Sequence, residues 1–164
     1  MNKINFLLSI LVLFATLPGF GQVSVTGTAY TEIVPLATAR ETVQLNAGRF
    51  STTANGGSVT ITPEGSRFAK GNVILLDGPF SQADFVVTGA DYHTLSIMLP
   101  TTPQFLFHSN SNNKISIDNW TYNMPILKNG DLIIHVGATL NFKSADFNPP
   151  GFYTGKYQIT FIYN

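Results

Sequence analysis

The chain closes with the stretch Gly151–Asn164, GFYTGKYQITFIYN, and this stretch decides the fold. After Gly155, large apolar side chains fall on every second position: Tyr157, Ile159, Phe161 and Tyr163. Period-two alternation of aromatic and β-branched residues is typical of a strand with one buried face. We therefore predict a β-strand that runs to the end of the sequence and needs a neighbouring strand to pair with.

Shorter runs of the same kind recur through the rest of the chain, separated by Gly, Pro, Asn and Asp. They include Val59 and Ile61, Phe85 and Val87, Leu132 to Val136, and Leu140 with Phe142. No stretch sustains a helical period. Short strands at this spacing, with turn signals between them, indicate an antiparallel sandwich or barrel. Gly137 and Pro149–Gly151 are predicted to interrupt the last three strands.

The first 21 residues have the form of a secretory signal peptide. Lys3 precedes an almost wholly apolar run, Ile4–Leu17, and the small-x-small site Gly19-Phe20-Gly21 precedes Gln22. The apolar run is shorter than the roughly 20 residues of a membrane-spanning helix. We therefore expect export to the cell surface, the periplasm or the extracellular space. We also expect one domain over residues 22–164, without a membrane span in the mature chain.

Charge and cysteine content narrow the classes of partner and the sources of stability. Nine basic residues oppose nine acidic ones, and loss of Lys3 with the leader takes the net charge to about −1. This balance argues against nucleic acid and against an anionic membrane surface. The chain has no cysteine, so it must be held together by its core rather than by disulfides.

Candidate catalytic and metal-binding residues are few. Asp91 and His93 lie two positions apart and would offer two metal ligands on a strand, but no third ligand follows at a metal-site spacing. His135 falls between two apolar residues and is expected to face solvent. No nucleophile elbow, phosphate loop or zinc-binding helix is present in the sequence. We expect no metal, no cofactor and no enzymatic activity.

Two further patterns leave alternatives open. Trp120 and Tyr122 alternate with polar residues, so they form either a sugar-stacking platform or ordinary core, with core the commoner case for Trp120. The mature N-terminus alternates as well, and this segment is either the domain's own first strand or a strand donated to another subunit. Its small and apolar positions are Val23, Val25, Gly27, Ala29 and Ile33.

Four stretches in order carry a resemblance to a known group of proteins. They are ETVQLNAGRF at 41–50, GPFSQADFVVTGADYHTLSIMLP at 78–100, LIIHVGATLNF at 132–142, and the terminal stretch itself. The chain resembles a family of secreted bacterial domains of unknown function related to pilins and spore-coat-type β-sandwiches. Gly151 and the penultimate Tyr163 resemble the C-terminal motif of chaperone–usher pilus subunits. The resemblance implies an immunoglobulin-like sandwich and assembly by strand exchange.

We therefore expect an exported structural or adhesive cell-surface protein, similar to a fimbrial subunit, that acts through strand pairing. Its partners would be other copies of the chain or a chaperone that binds by strand addition. The alternative is a monomeric secreted carbohydrate-binding module that uses Trp120 and Tyr122 to hold a glycan. Deletion of residues 22–33 should abolish polymer formation if the segment is donated to another subunit, and should unfold the monomer if it is the domain's own first strand. Trp120→Ala should remove sugar retention if the module interpretation is correct, and should leave any assembly intact.

Overall fold

The computed structural model describes residues 22–33, 37–89 and 95–162, except for the side chains of residues 53 and 54. The chain divides into two units, Met1–Ile33 and Val34–Asn164, and every described strand lies in the second. In chain order the strands are β1 (Thr38–Val43), β2 (Phe50–Ile61), β3 (Arg67–Leu75), β4 (Ala83–Thr88), β5 (Ser96–Met98), β6 (Gln104–His108), β7 (Lys114–Tyr122), β8 (Ile126–Lys128), β9 (Asp131–Phe142), β10 (Tyr153–Thr154) and β11 (Thr160–Ile162).

Strand β9 organises the larger of the two sheets. Its first half pairs with β4 on one side and β8 on the other, and its second half pairs with β2 and β7. The nine-stranded sheet has the order β1-β4-β9-β7-β6-β10, with β3 added beyond β2. All of these pairs are antiparallel. The prediction of an all-β, antiparallel, sandwich-like domain is confirmed.

The predicted break at Gly137 is wrong, because β9 runs through this position. Gly137 is buried and pairs with Thr121 of β7. A Cβ atom placed on it would overlap the carbonyl oxygen of Ile61 and crowd Pro63. The glycine therefore allows β9 to approach the end of β2 closely, and it does not end β9.

The core lies on the inner face of this sheet. Alternate residues of β9 are buried along its whole length, and Val59, Ile61, Ile117 and Val87 pack beside them. Ile61, Leu132 and Ile134 have no exposed surface. Each fully buried side chain of this size contributes about 1.5–3 kcal/mol to folding, so the period-two pattern of β9 is a major source of stability.

The terminal stretch differs in part from the single long strand that its pattern predicts. Two short strands are present, β10 paired with β6 and β11 paired with β5, and residues 155–159 between them belong to no strand. A Cβ on Gly155 would overlap the carbonyl oxygen of Phe105, so only glycine fits where the chain passes β6. The side chains still alternate, with Tyr157, Ile159 and Phe161 turned inward.

The small sheet formed by β5 and β11 covers part of the core. Ile97 and Phe161 are partly buried against the core, and the ring centroids of Phe161 and Phe85 lie 5.7 Å apart. The larger sheet curls, and its path of paired strands ends at β1 on one side and at β10 on the other. These two end strands flank the candidate functional site.

Candidate functional site

A groove separates the segment around β1 from the terminal stretch. One wall is built by residues 41–52 and the other by residues 148–159. Three neighbouring cavities, of about 410, 620 and 470 Å³, share lining residues along it. The floor is apolar and includes Leu106, Ile115 and Leu140. The groove therefore lies where the path of paired strands is open.

Tyr157 bridges the two walls at one end of the groove. Its hydroxyl donates a hydrogen bond to Glu41 Oε1 of β1, at an O–O distance of 2.5 Å. Its ring packs on Trp120, with ring centroids 4.6 Å apart, and meets Phe85 edge-on at 6.5 Å. Burial, and then the hydrogen bond to the Glu41 carboxylate, raise the pKa of Tyr157 above its ordinary value. Tyr157 therefore remains a neutral donor at physiological pH.

The first wall of the groove is fixed by side chains from β3 and from the turn before β4. The Arg67 guanidinium donates to the carbonyl oxygens of Ala47 and Leu76, at 3.2 and 2.9 Å, and stacks on Phe80 at 4.5 Å. The predicted turn at Asn46–Gly48 is present, with the Gly48 N–H donating to Asn46 Oδ1 at 2.8 Å. These contacts fix the conformation of this wall.

Gly151 lies at the start of the second wall, where β6 ends. A Cβ atom on Gly151 would overlap the imidazole of His108. That ring is fixed by Pro150, whose carbonyl oxygen lies 3.2 Å from Nε2, and by an edge-on contact with Tyr153. The glycine predicted as a motif position therefore has a packing role here. Tyr163, the other motif position, lies outside the described residues.

The predicted donor segment, residues 22–33, forms no strand in the structure. All of its side chains are exposed, including Val23 and Val25 at 89% and 88% and Ile33 at 93%. Gly27 has no atom within 4 Å of an added Cβ. The first strand of the sheet is instead β1. The predicted signal peptide, residues 1–21, lies outside the described residues.

Trp120 and Tyr122 do not form the exposed platform that one interpretation of the sequence required. Trp120 is 8% exposed and belongs to the core, whereas Tyr122 is 42% exposed. A bulge in β7 around Asn119, where φ is +48°, shifts the register with β9 and turns the indole inward. The Trp120 Nε1 atom has no hydrogen-bond partner among the described residues. The core interpretation of Trp120 is therefore the one that the structure supports.

The titratable residues singled out in the sequence lie apart from the groove floor. His135 is half-buried, not free in solvent as expected, and its Nδ1 lies 2.6 Å from Asp84 Oδ1 across β9 and β4. Asp91 and His93 lie outside the described residues. Within the described ranges, no three His, Asp or Glu side chains gather as metal ligands.

The described part of the chain also has no helix with the length and apolar character needed to cross a bilayer.

Sequence reasoning missed Glu41 and Leu45 as residues of the first wall. Glu41 accepts the hydrogen bond of Tyr157, and Leu45 contributes a backbone hydrogen bond to the same hydroxyl. No periodic signal marks a single carboxylate on an exposed strand. Contact across more than a hundred positions of sequence becomes visible only in the folded chain.

The fold and the groove define a single antiparallel β-sandwich-like domain with an apolar groove between the ends of its path of paired strands. The model of the family described as "Domain of unknown function (DUF4402)" matches residues 37–163, and the chain belongs to that family. No curated protein and no solved structure matches the chain. The matched residues correspond closely to the unit that contains the strands.

Proposed function

We propose that this chain is an exported surface subunit that assembles by strand addition, like a pilin. The observation that carries the proposal is the gap between β1 and the terminal stretch. Both sheet ends flank an apolar groove, and residues 155–159 alternate like a strand while pairing with no described strand. Unpaired strand edges bind further strands through backbone hydrogen bonds, and alternate side chains fix the register.

The groove favours an extended occupant with apolar side chains at every second position. Its floor is lined by aliphatic side chains, and residues 155–159 of the second wall pair with no described strand. Lys156 and Glu41 are the charged residues that line its cavity of about 620 Å³. An added strand of low charge would therefore satisfy the free edge and exclude water from the floor at the same time.

Residues 22–33 of a second copy fit this description. Val23, Val25, Gly27 and Ala29 alternate with polar residues, and Glu32 is the only charged residue in the segment. Exposed valine or isoleucine side chains of this kind each gain about 1.5–3 kcal/mol on full burial. Burial of the segment in a neighbouring groove would therefore be favourable, and each subunit would donate one strand and accept one.

Donation to another copy is favoured over folding back onto the same domain. Residues 34–37, which join the segment to β1, read Val-Pro-Leu-Ala. They lack the Gly, Asn or Asp that a tight hairpin turn needs. A chaperone strand that occupied the same groove before assembly would use the same edge. Export rests on the signal-peptide pattern of residues 1–21.

The experiment compares the mature chain with a variant that lacks residues 22–33, using light scattering for mass and circular dichroism for folding. We expect the mature chain to form multimers and the deletion variant to be a folded monomer. A synthetic peptide of residues 22–33 should bind the deletion variant and raise its melting temperature.

Paired substitutions supply the control. Val25→Asn in the peptide replaces an inward-facing position and should weaken binding, whereas Ser24→Asn changes the adjacent outward position and should not. If the mature chain stays monomeric, or if the folded deletion variant does not bind the peptide, the proposal is wrong.

A further inference from the structure

The outer face of the larger sheet carries a second set of side chains with a distinct arrangement. The strand registers align one row across five strands: Phe105 of β6, Ser116 of β7, Asn141 of β9, Ser58 of β2 and Lys70 of β3. All five point away from the core, because their neighbours in sequence, such as Ile115, Leu140 and Val59, are buried.

A parallel row lies two residues along the same strands. It runs from Asp118 of β7 through Thr139 of β9 and Thr60 of β2 to Phe68 of β3. Phe68 is 57% exposed, and Phe105 at the opposite side is 39% exposed. Phe107, on the same side as Phe105, is 52% exposed. The face therefore has a polar centre between exposed aromatic side chains.

The polar centre is held in place by its own hydrogen bonds. Asp118 Oδ1 accepts from the side-chain amides of Asn141 and Asn119, at 2.9 and 3.0 Å. The hydroxyls of Thr60 and Thr139 bond to each other at 2.9 Å. Asp118 Oδ2 accepts no hydrogen bond from the described residues. The carboxylate is thus oriented and keeps one oxygen to accept from a ligand.

We propose that this face binds a neutral polysaccharide chain. A sugar ring has apolar C–H surfaces, which stack on aromatic rings, and hydroxyl edges, which need both donors and acceptors. The aromatic side chains at the margins supply the stacking surfaces. Asp118, Asn141 and the two threonines supply the hydrogen-bond donors and acceptors for the hydroxyl groups. This proposal does not depend on strand addition, because it uses the opposite face of the sheet from the groove floor.

The distribution of polarity favours a glycan over other classes of macromolecule. A protein interface has an apolar centre and a polar rim, whereas this face has the reverse. Nucleic acid requires many phosphate contacts from basic residues, but the face carries Lys70 and Lys114 against Asp118, on a chain of zero formal net charge. An uncharged ligand rich in hydroxyl groups matches this balance of charge best.

Lys114 is part of the same face, since its Nζ lies 4.0 Å from the centre of the Phe105 ring. A cation–π contact at an exposed site is worth about 0.5–1 kcal/mol. A sugar ring that stacked on Phe105 would displace this contact at a modest cost. The lysine is therefore expected to cover the ring in the absence of ligand and not to hold the ligand by charge.

The test is retention of the mature chain on insoluble cellulose, chitin, xylan and curdlan, measured as the bound fraction at increasing protein concentration. We expect retention on at least one of these matrices. Phe105→Ala and Asp118→Ala should each weaken that retention about tenfold, the effect of losing one stacking contact or one charge-assisted hydrogen bond. Phe147→Ala provides the matched control, because Phe147 is 62% exposed but lies outside these strands. Melting temperatures of all variants verify folding.

Three outcomes would overturn the proposal. They are absence of retention on every matrix, equal retention of the Asp118→Ala and Phe147→Ala variants, and retention that Lys114→Ala abolishes, since that result would assign binding to charge. Loss of self-association in Phe105→Ala without any polysaccharide present would identify the face as a protein interface instead, and would contradict the proposal equally.

Discussion

The hydroxyl of Tyr157 donates a hydrogen bond to the carboxylate of Glu41, with 2.5 Å between the two oxygen atoms. The two residues belong to opposite ends of the path of paired strands, β1 on one side and the segment after β10 on the other. Their hydrogen bond therefore joins the sheet ends across the open strand position. It stabilises the gap, and under the proposed strand addition it would have to adjust to an incoming strand.

Removal of the Tyr157 hydroxyl should loosen this junction without disturbing the core. Tyr157→Phe keeps the ring against Trp120 and loses the bond to Glu41. We expect the free energy of unfolding to fall by about 1 kcal/mol, as measured by urea denaturation. Binding of the peptide of residues 22–33 to the deletion variant should become faster. Glu41→Gln keeps an acceptor at the same position and should have the smaller effect; a larger effect from Glu41→Gln would contradict this interpretation.

The same hydroxyl predicts a pH dependence. Burial and the bond to Glu41 raise the pKa of Tyr157 in the folded chain, while an unfolded tyrosine titrates near pH 10. The unfolded state therefore loses its proton first as pH rises. The contribution of the hydroxyl is complete below about pH 10 and is lost at higher pH. The stability difference between the unsubstituted chain and Tyr157→Phe should shrink as pH rises from about 9 to 11; a difference that grows would refute the assignment.

The buried position of Trp120 predicts a structural effect for its removal. Trp120→Ala should lower the free energy of unfolding by about 3–5 kcal/mol, because it leaves a cavity beside Tyr157. Tyr122→Ala, at a largely exposed site, should change stability by less than about 1 kcal/mol. Chemical denaturation measures both values. Similar effects of the two substitutions would show that the indole is not part of the core.

The passage of β9 through Gly137 gives another test. Gly137→Ala should destabilise the domain by more than about 3 kcal/mol, since the new Cβ would overlap the backbone of Ile61 and β2 would have to move. Gly27→Ala is the matched control, because an added Cβ there has nothing within 4 Å. Thermal unfolding of both variants provides the comparison, and a stable Gly137→Ala variant would mean that β2 and β9 are not in close contact.

The alternation of apolar residues was enough to predict the fold class and most of the core. In β4 and β9, every second residue is buried as the pattern requires, because one face of each strand contacts the core. The pattern also predicted that Tyr157, Ile159 and Phe161 turn inward. It failed to predict the break in the terminal strand at residues 155–159, because the apolar alternation continues through those residues.

Other features could not be predicted because they depend on tertiary contacts. Phe105, Leu106 and Phe107 are all apolar, so their sequence leaves open which face of β6 is buried; Leu106 proves to be the one packed against the core. Gly137 resembles a turn residue and instead marks a close approach of two strands. The groove arises from the order of the strands in the sheet, which no local pattern encodes.

Disulfide cross-linking between copies tests the central claim most directly, because the chain has no cysteine of its own. One copy carries Ser24→Cys, Thr26→Cys or Thr28→Cys, and a second copy of different size carries Gln158→Cys. Directly opposed residues on adjacent antiparallel strands have Cα atoms roughly 4.5–5.5 Å apart. This lies within the separation of roughly 4.4–6.8 Å that a disulfide requires. Strand addition predicts a mixed dimer for at least one pair after oxidation. Failure of all three pairs, or a link formed only within one chain when both cysteines are placed on it, would contradict the claim.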